Sequence, residues 1–145
     1  MPVTINGSGS ITGLTQGGVS ALALPAGSVI QVKSAVKTDT STQSSDTFSN
    51  IPSLIVSITP TAATSKFYVI CNVTGSSNNQ LRLRLAQDGT AIGAGVASGN
   101  RDGIGAIIQR SNASEYGFQA ATMQALTGAI GDTSAHTFSA QYAKE

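Results

Sequence analysis

The sequence has no tryptophan, one cysteine, one histidine and few charges, and each scarcity excludes something. Charged residues make up 10% of the 145 residues, against roughly 25% in an ordinary soluble domain. Charge keeps freely diffusing monomers apart, so an exterior this sparsely charged fits a protein whose faces are covered by copies of itself or by a larger assembly. The net charge is +1 and no run of Lys or Arg occurs, which leaves a nucleic-acid partner without its basic footprint. Cys71 stands alone, so an internal disulfide and a cysteine-based metal site are both excluded. No apolar run approaches the roughly 18 residues that mark a membrane span, and the N-terminus lacks the basic and apolar segments of a signal peptide. Synthesis in a cytosol without membrane insertion or export by that route is expected.

What fills the gap is Ser, Thr, Gly and Ala, with aromatics at only 5%. Such a chain builds β-structure from small side chains and backbone ladders. Three stretches alternate with period two, are rich in β-branched residues and are bounded by turn residues. They are Gly27-Ser-Val-Ile-Gln-Val-Lys-Ser-Ala-Val-Lys37, Leu54-Ile-Val-Ser-Ile-Thr-Pro60 and Lys66-Phe-Tyr-Val-Ile-Cys-Asn-Val73. The pattern predicts these as the central strands of an all-β sandwich. In the first, Ile30, Val32, Ser34 and Val36 share one face, and Val29, Gln31, Lys33, Ala35 and Lys37 share the other.

Further strands follow. Leu81-Arg-Leu-Arg-Leu85 places its leucines inward and Arg82 and Arg84 outward. Asp88-Gly89 is a two-residue hairpin signal with Thr90-Ala-Ile-Gly93 returning. Ile104 to Gln109, Ala121 to Leu126 (strand or helix by propensity, strand by context) and His136-Thr-Phe-Ser-Ala-Gln-Tyr142 complete about seven or eight short strands, the spacing of a sandwich or jelly roll. The polar run Thr38 to Asn50 reads as an exposed loop or edge strand, with Phe48 pinning it to the core and Pro52 marking the entry to the next strand. Arg110 to Gln119 reads as polar loop. The last strand, ending next to Ala143-Lys-Glu145, reads as an open edge, so that either a partner chain covers it or the sequence stops short of its natural end. Cys71 alternates with Val69 and Val73 and reads as a small core residue.

Residues 1–26 differ from the rest. Val3, Ile5, Ile11, Leu14 and Val19 are isolated among glycines too frequent for a compact helix, as in a segment that gains order by lying on another surface. The expected organisation is an N-terminal docking arm, residues 1–26, and a β-sandwich domain, residues 27–145.

Residues for catalysis are hard to find. Asp132, Ser134 and His136 alternate, but side chains two apart on a strand point in parallel, roughly 6 to 7 Å apart, whereas a nucleophilic triad must converge. The carboxylates are scattered, and most sit where Asp caps a turn; no pair is singled out for glycoside cleavage. No carboxylate cluster has the spacing of a metal loop, and Gly93-Ala-Gly95-Val-Ala-Ser-Gly99 misses the spacing and the βαβ setting of a phosphate-binding turn. No catalytic, metal or cofactor residue is assigned. Polar loops on a β-sandwich are a common format for sugar contact, and Tyr68, Arg101 and Tyr116 are the side chains selected for it.

Several blocks, taken in order, carry a resemblance. Gly27-Ser-Val-Ile-Gln-Val32, Lys37-Thr-Asp-Thr40, Leu54-Ile-Val-Ser-Ile-Thr-Pro60, Ser65-Lys-Phe-Tyr-Val-Ile70, Leu83-Arg-Leu85 and Asp88-Gly-Thr-Ala-Ile-Gly93 look like a family of fibre-type structural proteins of cyanophages and other aquatic phages. Thr4-Ile-Asn-Gly-Ser-Gly-Ser-Ile-Thr-Gly13 resembles the particle-attached start of phage fibres. The resemblance implies a virion component made in a bacterial cytoplasm, homotrimeric, attached to other virion proteins by its N-terminal segment and presenting a jelly-roll-like β-domain to the host surface and its glycans. Relatives of this type commonly continue past the position of Tyr142 into another Gly-, Asn- and Ser-rich section. Two alternatives stand beside a tail fibre or spike. One is a capsid decoration, cement or head-fibre protein of the same build. The other, from a different class, is a polysaccharide depolymerase.

Overall fold

The Asp88-Gly89 hairpin sets the register of everything around it. In the computed structural model, which describes residues 4–5, 11–12, 27–98, 103–109 and 118–145, both turn residues have left-handed backbones, with φ of 49° and 83°. A two-residue turn of that kind matches the right-handed twist of the strands it joins. It joins β5 (Gln80–Gln87) to β6 (Thr90–Ile92) in antiparallel register, Gln87 opposite Thr90 and Leu85 opposite Ile92. Gly93 closes the return with φ of 61°, where a Cβ would stand 2.6 Å from the Cβ of Ala125. Only glycine meets both demands.

The other elements, in chain order, are β1 (Thr4–Ile5), β2 (Ile11–Thr12), β3 (Ser49–Ile58), β4 (Tyr68–Gly75), β7 (Ala106–Gln109), β8 (Gln119–Leu126) and β9 (His136–Lys144). All pairings are antiparallel, and among the described residues every regular element is a strand. The chain divides into two units, Met1–Val32 and Lys33–Glu145. In the first, β1 pairs β2, with Ile5 opposite Ile11. The second holds a five-stranded sheet of order β3-β9-β5-β6, with β7 sharing the same edge of β5, and a two-stranded sheet of β4 and β8.

The expected parity of β5 is borne out: Leu83 and Leu85 are buried in the core, with Leu81 packed against it. They meet Ala140 and Tyr142 of β9, Ile51 of β3 and Ile108 of β7. The two-stranded sheet closes this core with Ala121, Met123 and Ala125 from β8 and the half-buried Val69, Cys71 and Val73 from β4. Cys71 therefore faces inward as expected, and burial pushes its thiol pKa up.

Four expectations are corrected. The run Gly27–Lys37 is not a central strand: residues 28–48 enter no ladder among the described residues, and Val29, Val32 and Val36 are about four-fifths exposed, at 80%, 78% and 79%. The other two runs do form strands but not central ones, β3 lying at the end of the five-stranded order and β4 in the two-stranded sheet. The central position is held by β9, which pairs β3 on one side and β5 on the other. That overturns the second expectation, since β9 is no edge. Residues from His136 to Ala143 are buried except Thr137.

The third concerns Phe48. It lies on the sheet face opposite the core, its ring under the guanidinium of Arg84 at 4.0 Å and near that of Arg82 at 5.6 Å. A cation over an aromatic face supplies the anchor that apolar packing was expected to give. Fourth, β3 begins at Ser49 and runs through Pro52 by means of a bulge. Asn50 faces Gln141 and Ile55 faces Ser139, so the residues between them bow out, with Ser53 at φ 66°. Proline lacks the ladder donor and is tolerated where a bulge interrupts pairing. Asn50 Oδ1 then accepts hydrogen bonds from Ser139 Oγ and Gln141 Nε2, both at 3.0 Å.

Candidate functional site

Two places on the described surface carry more than a solvated strand needs. The first is the outer face of β4 and β8. Period two along β4 turns Val69, Cys71 and Val73 inward, so Tyr68, Ile70, Asn72 and Thr74 turn outward. Register places them against Leu126, Gln124, Thr122 and Ala120. The Tyr68 hydroxyl donates to Gln124 Oε1 at 2.6 Å, and Asn72 Nδ2 donates to Thr122 Oγ1 at 2.9 Å. Ile70 and Leu126 beside them are exposed, as is the Tyr68 ring at 60%. The result is a flat face on which an aromatic ring is held in place by an amide, among small hydroxyl and amide groups. A ring with an apolar body and an oriented polar tip can meet a ligand on both counts.

Of the three side chains selected from the sequence for ligand contact, Tyr68 is on this face. Arg101 and Tyr116 lie outside the described residues. Of the arm residues, Ile5 and Ile11 sit opposite one another in the β1–β2 ladder, and Val3, Leu14 and Val19 lie outside the described residues.

The second place is a histidine held between two carboxylates. His136 opens β9 and is buried, with Nδ1 2.7 Å from Asp88 Oδ2 and Nε2 3.1 Å from Asp132 Oδ1. The parallel-projection argument kept Asp132 and His136 apart, and the structure corrects it. A turn bends the chain back, with the Ser134 amide donating to Asp132 Oδ1 at 2.6 Å, so Asp132 returns to the ring from the loop. Asp88 arrives from the β5–β6 hairpin, where its Oδ1 also accepts the Thr137 amide at 2.8 Å and its own amide donates to the Thr137 carbonyl at 2.8 Å. The sequence carried a signal for this only jointly with register: pairing Gln87 to Phe138 puts the turn residue Asp88 beside His136.

The electrostatics follow from the contacts. Hydrogen bonding to Asp88, with Asp132 next among the partners, raises the His136 pKa against the desolvation that opposes it. The Thr137 amide first and His136 second lower that of Asp88. The Ser134 amide first and His136 second lower that of Asp132. The raised pKa favours the imidazolium, the form in which both nitrogens donate to their carboxylates. Because each nitrogen is committed to a carboxylate, neither is placed to take a proton from a hydroxyl, which is what a nucleophilic triad requires. The group is a clamp joining two loops at one end of the five-stranded sheet.

Among the described residues no group of three His, Cys, Asp or Glu is placed to hold a metal ion, and no helix is long and apolar enough to cross a membrane. Comparison of the chain with protein-family models, curated proteins and solved structures finds no match in any of the three.

Proposed function

We propose that this chain is a virion structural protein of the trimeric phage-fibre type. Residues 1–26 dock on other virion proteins, and a jelly-roll-like β-domain faces outward to contact glycans on the host surface. The observation that carries the reading is the exposure of Val29, Ile30, Val32 and Val36 in a chain with only 10% charged residues. A single copy leaves a strand-like apolar run uncovered, and copies of the chain are what would cover it. The blockwise resemblance to phage fibre-type proteins supplies the class. The outer face of β4 and β8 supports the outward role, with Tyr68, oriented by Gln124, Arg101 and Tyr116 as the proposed glycan contacts.

The test is placement on the particle. Purified chain is expected to sediment as a trimer, and micrographs of labelled particles are expected to show few copies, on the tail. Many copies spread over the capsid would replace the fibre reading with the decoration one. A monomer at micromolar concentration, or release of fragments from host capsule by the purified protein, would overturn it. Deleting residues 1–26 is expected to leave a folded β-domain that no longer joins the particle.

A further inference from the structure

The two strands of the smaller sheet cover the core unequally, and the difference has a direction. In each inward-facing pair, the β8 member is buried and the β4 member is only half-buried: Ala125 against Val69, Met123 against Cys71, Ala121 against Val73. These pairs lie side by side on one face, so depth does not separate them. What separates them is the flank. Beyond β8 stand β7 and Gly93, the latter in van der Waals reach of Ala125. Beyond β4, among the described residues, no strand continues the ladder. A two-stranded sheet is marginal by itself and presents unpaired amides and carbonyls along its free edge.

The run Ser28–Lys37 has the complementary properties. It alternates as a half-buried strand does, yet pairs with nothing among the described residues and exposes its β-branched side chains. It is slightly longer than β4, which has eight residues, so it can satisfy that edge from end to end. Its parity fits as well. With Ile30, Val32 and Val36 turned inward beside Val69, Cys71 and Val73, they would cover the half-buried side of the core. Gln31, Lys33 and Lys37 would then turn outward, into line with Asn72 and Thr74. A slip of one residue would put the lysines inward, so the pattern selects one parity.

From this we infer that Ser28–Lys37 of one copy adds as the third strand of the β4–β8 sheet of a neighbouring copy, so that each copy donates one strand and receives one. The inference rests on the reading of the chain as a self-assembling one, and it names the surface through which assembly occurs. Main-chain pairing along an exposed edge supplies affinity, and alternate side chains supply register. Donation around a closed ring leaves no edge over, which suits a cyclic trimer.

Cys71 makes the test direct, because it sits on β4 facing the side the donated strand would cover. In the full-length chain, Ile30→Cys, Val32→Cys and Val36→Cys are compared with Gln31→Cys and Lys33→Cys under mild oxidation by diamide. Neighbouring strands bring same-face Cβ atoms to about 4.5–5.5 Å, close enough for a disulfide at favourable pairs. The expected result is disulfide-linked trimers on a non-reducing gel for at least one inward-parity variant, none for the outward-parity variants, and none when Cys71→Ser is added. A bridged monomer would show that the run folds onto its own β4 and would overturn the exchange. A chain that sediments as a trimer but never cross-links would also overturn it while leaving the trimer standing. Sedimentation as a monomer would instead remove the assembly reading beneath it. A second measurement needs no cysteine. Alternate β4 amides are expected to exchange hydrogen at least about tenfold faster in Val32→Pro than in the native chain, while β5 and β9 amides keep their protection. Equal β4 exchange in the two would overturn the proposal.

Discussion

Ser28–Lys37 and His136–Lys144 read alike as sequences and end in opposite places. Both alternate, both carry β-branched or aromatic residues on one parity, and both are bounded by turn residues. One becomes β9, hydrogen-bonded on both sides and buried almost throughout. The other enters no ladder among the described residues and exposes its valines. Period two tells which side chains share a face. It does not tell which edge the strand meets, because edges are made by other segments. The distinguishing feature of β9 lies on its other parity, where Ser139, Gln141 and Ala143 are small or can be satisfied by Asn50 and Arg84. The corresponding parity of Ser28–Lys37 carries Lys33 and Lys37, cations that need water or a carboxylate beside them, as Lys37 has Asp39 at 2.8 Å. A strand meant for the middle of a sheet must be acceptable on both faces, and only one of these is.

The sharpest way to separate the two regions is to remove apolar volume from each. Leu83 is fully buried between β9 and the smaller sheet, so Leu83→Ala should cost about 2–5 kcal/mol of unfolding free energy. Val32→Ala, on the exposed run, should change the stability of the isolated chain by less than about 0.5 kcal/mol while weakening assembly. Urea unfolding of both variants checks this, and a comparable loss in the two would mean that the run is part of the core. Next in size is Gly93, where Ala must force a Cβ to 2.6 Å from Ala125 and adopt φ of 61°. A destabilisation of about 1–3 kcal/mol is expected, whereas Gly95→Ala, with open space around it, should be nearly neutral.

Smaller again is the anchor on the far side of the sheet. Arg84 Nε donates to Gln141 Oε1 at 2.8 Å while its guanidinium covers the Phe48 ring. Phe48→Leu keeps apolar bulk but removes the aromatic face, and about 0.5–1 kcal/mol should be lost. If Leu serves equally well, Phe48 acts by burial alone, as the sequence suggested.

Legibility follows the range of the interaction. The Asp88-Gly89 turn, the inward leucines of β5 and the inward Cys71 were readable because each depends on neighbours within a few residues. The bulge at Pro52 was half-readable: proline announced an interruption, but a strand that starts before it and resumes after it needs Gln141 and Ser139 opposite. The place of β9 between β3 and β5 was unreadable, since nothing local distinguishes an edge from a centre except tolerance on both faces. Tyr68 is selected from the sequence for ligand contact, but its orientation by Gln124 depends on a residue 56 positions away. The histidine clamp was hidden for the same reason, Asp88 and His136 being 48 apart.

That clamp gives the smallest effect and the one most specific to its place. The charged groups facing the ring are Asp88 from the hairpin and Asp132 from its own loop, while β3 presents the apolar Ile58 opposite it in register. The folded pKa of His136 is raised above its ordinary 6.5, so the stability it contributes is fully present below that value and is lost as pH rises through the folded one. Asp88 and Asp132 are lowered from 3.8, so their contributions are present above that value and are lost as pH falls through the folded ones. The clamp is therefore strongest between 3.8 and 6.5. Urea midpoints of the native chain should decline as pH rises from the upper end of that window, and those of His136→Asn should stay level up to about pH 8, where the thiol range begins. Because both carboxylates are about half exposed, at 45% and 52%, added salt should flatten the native decline. A native midpoint that holds level while the imidazole is seen by NMR to lose its proton would mean that the ring is held by shape and the charges are incidental.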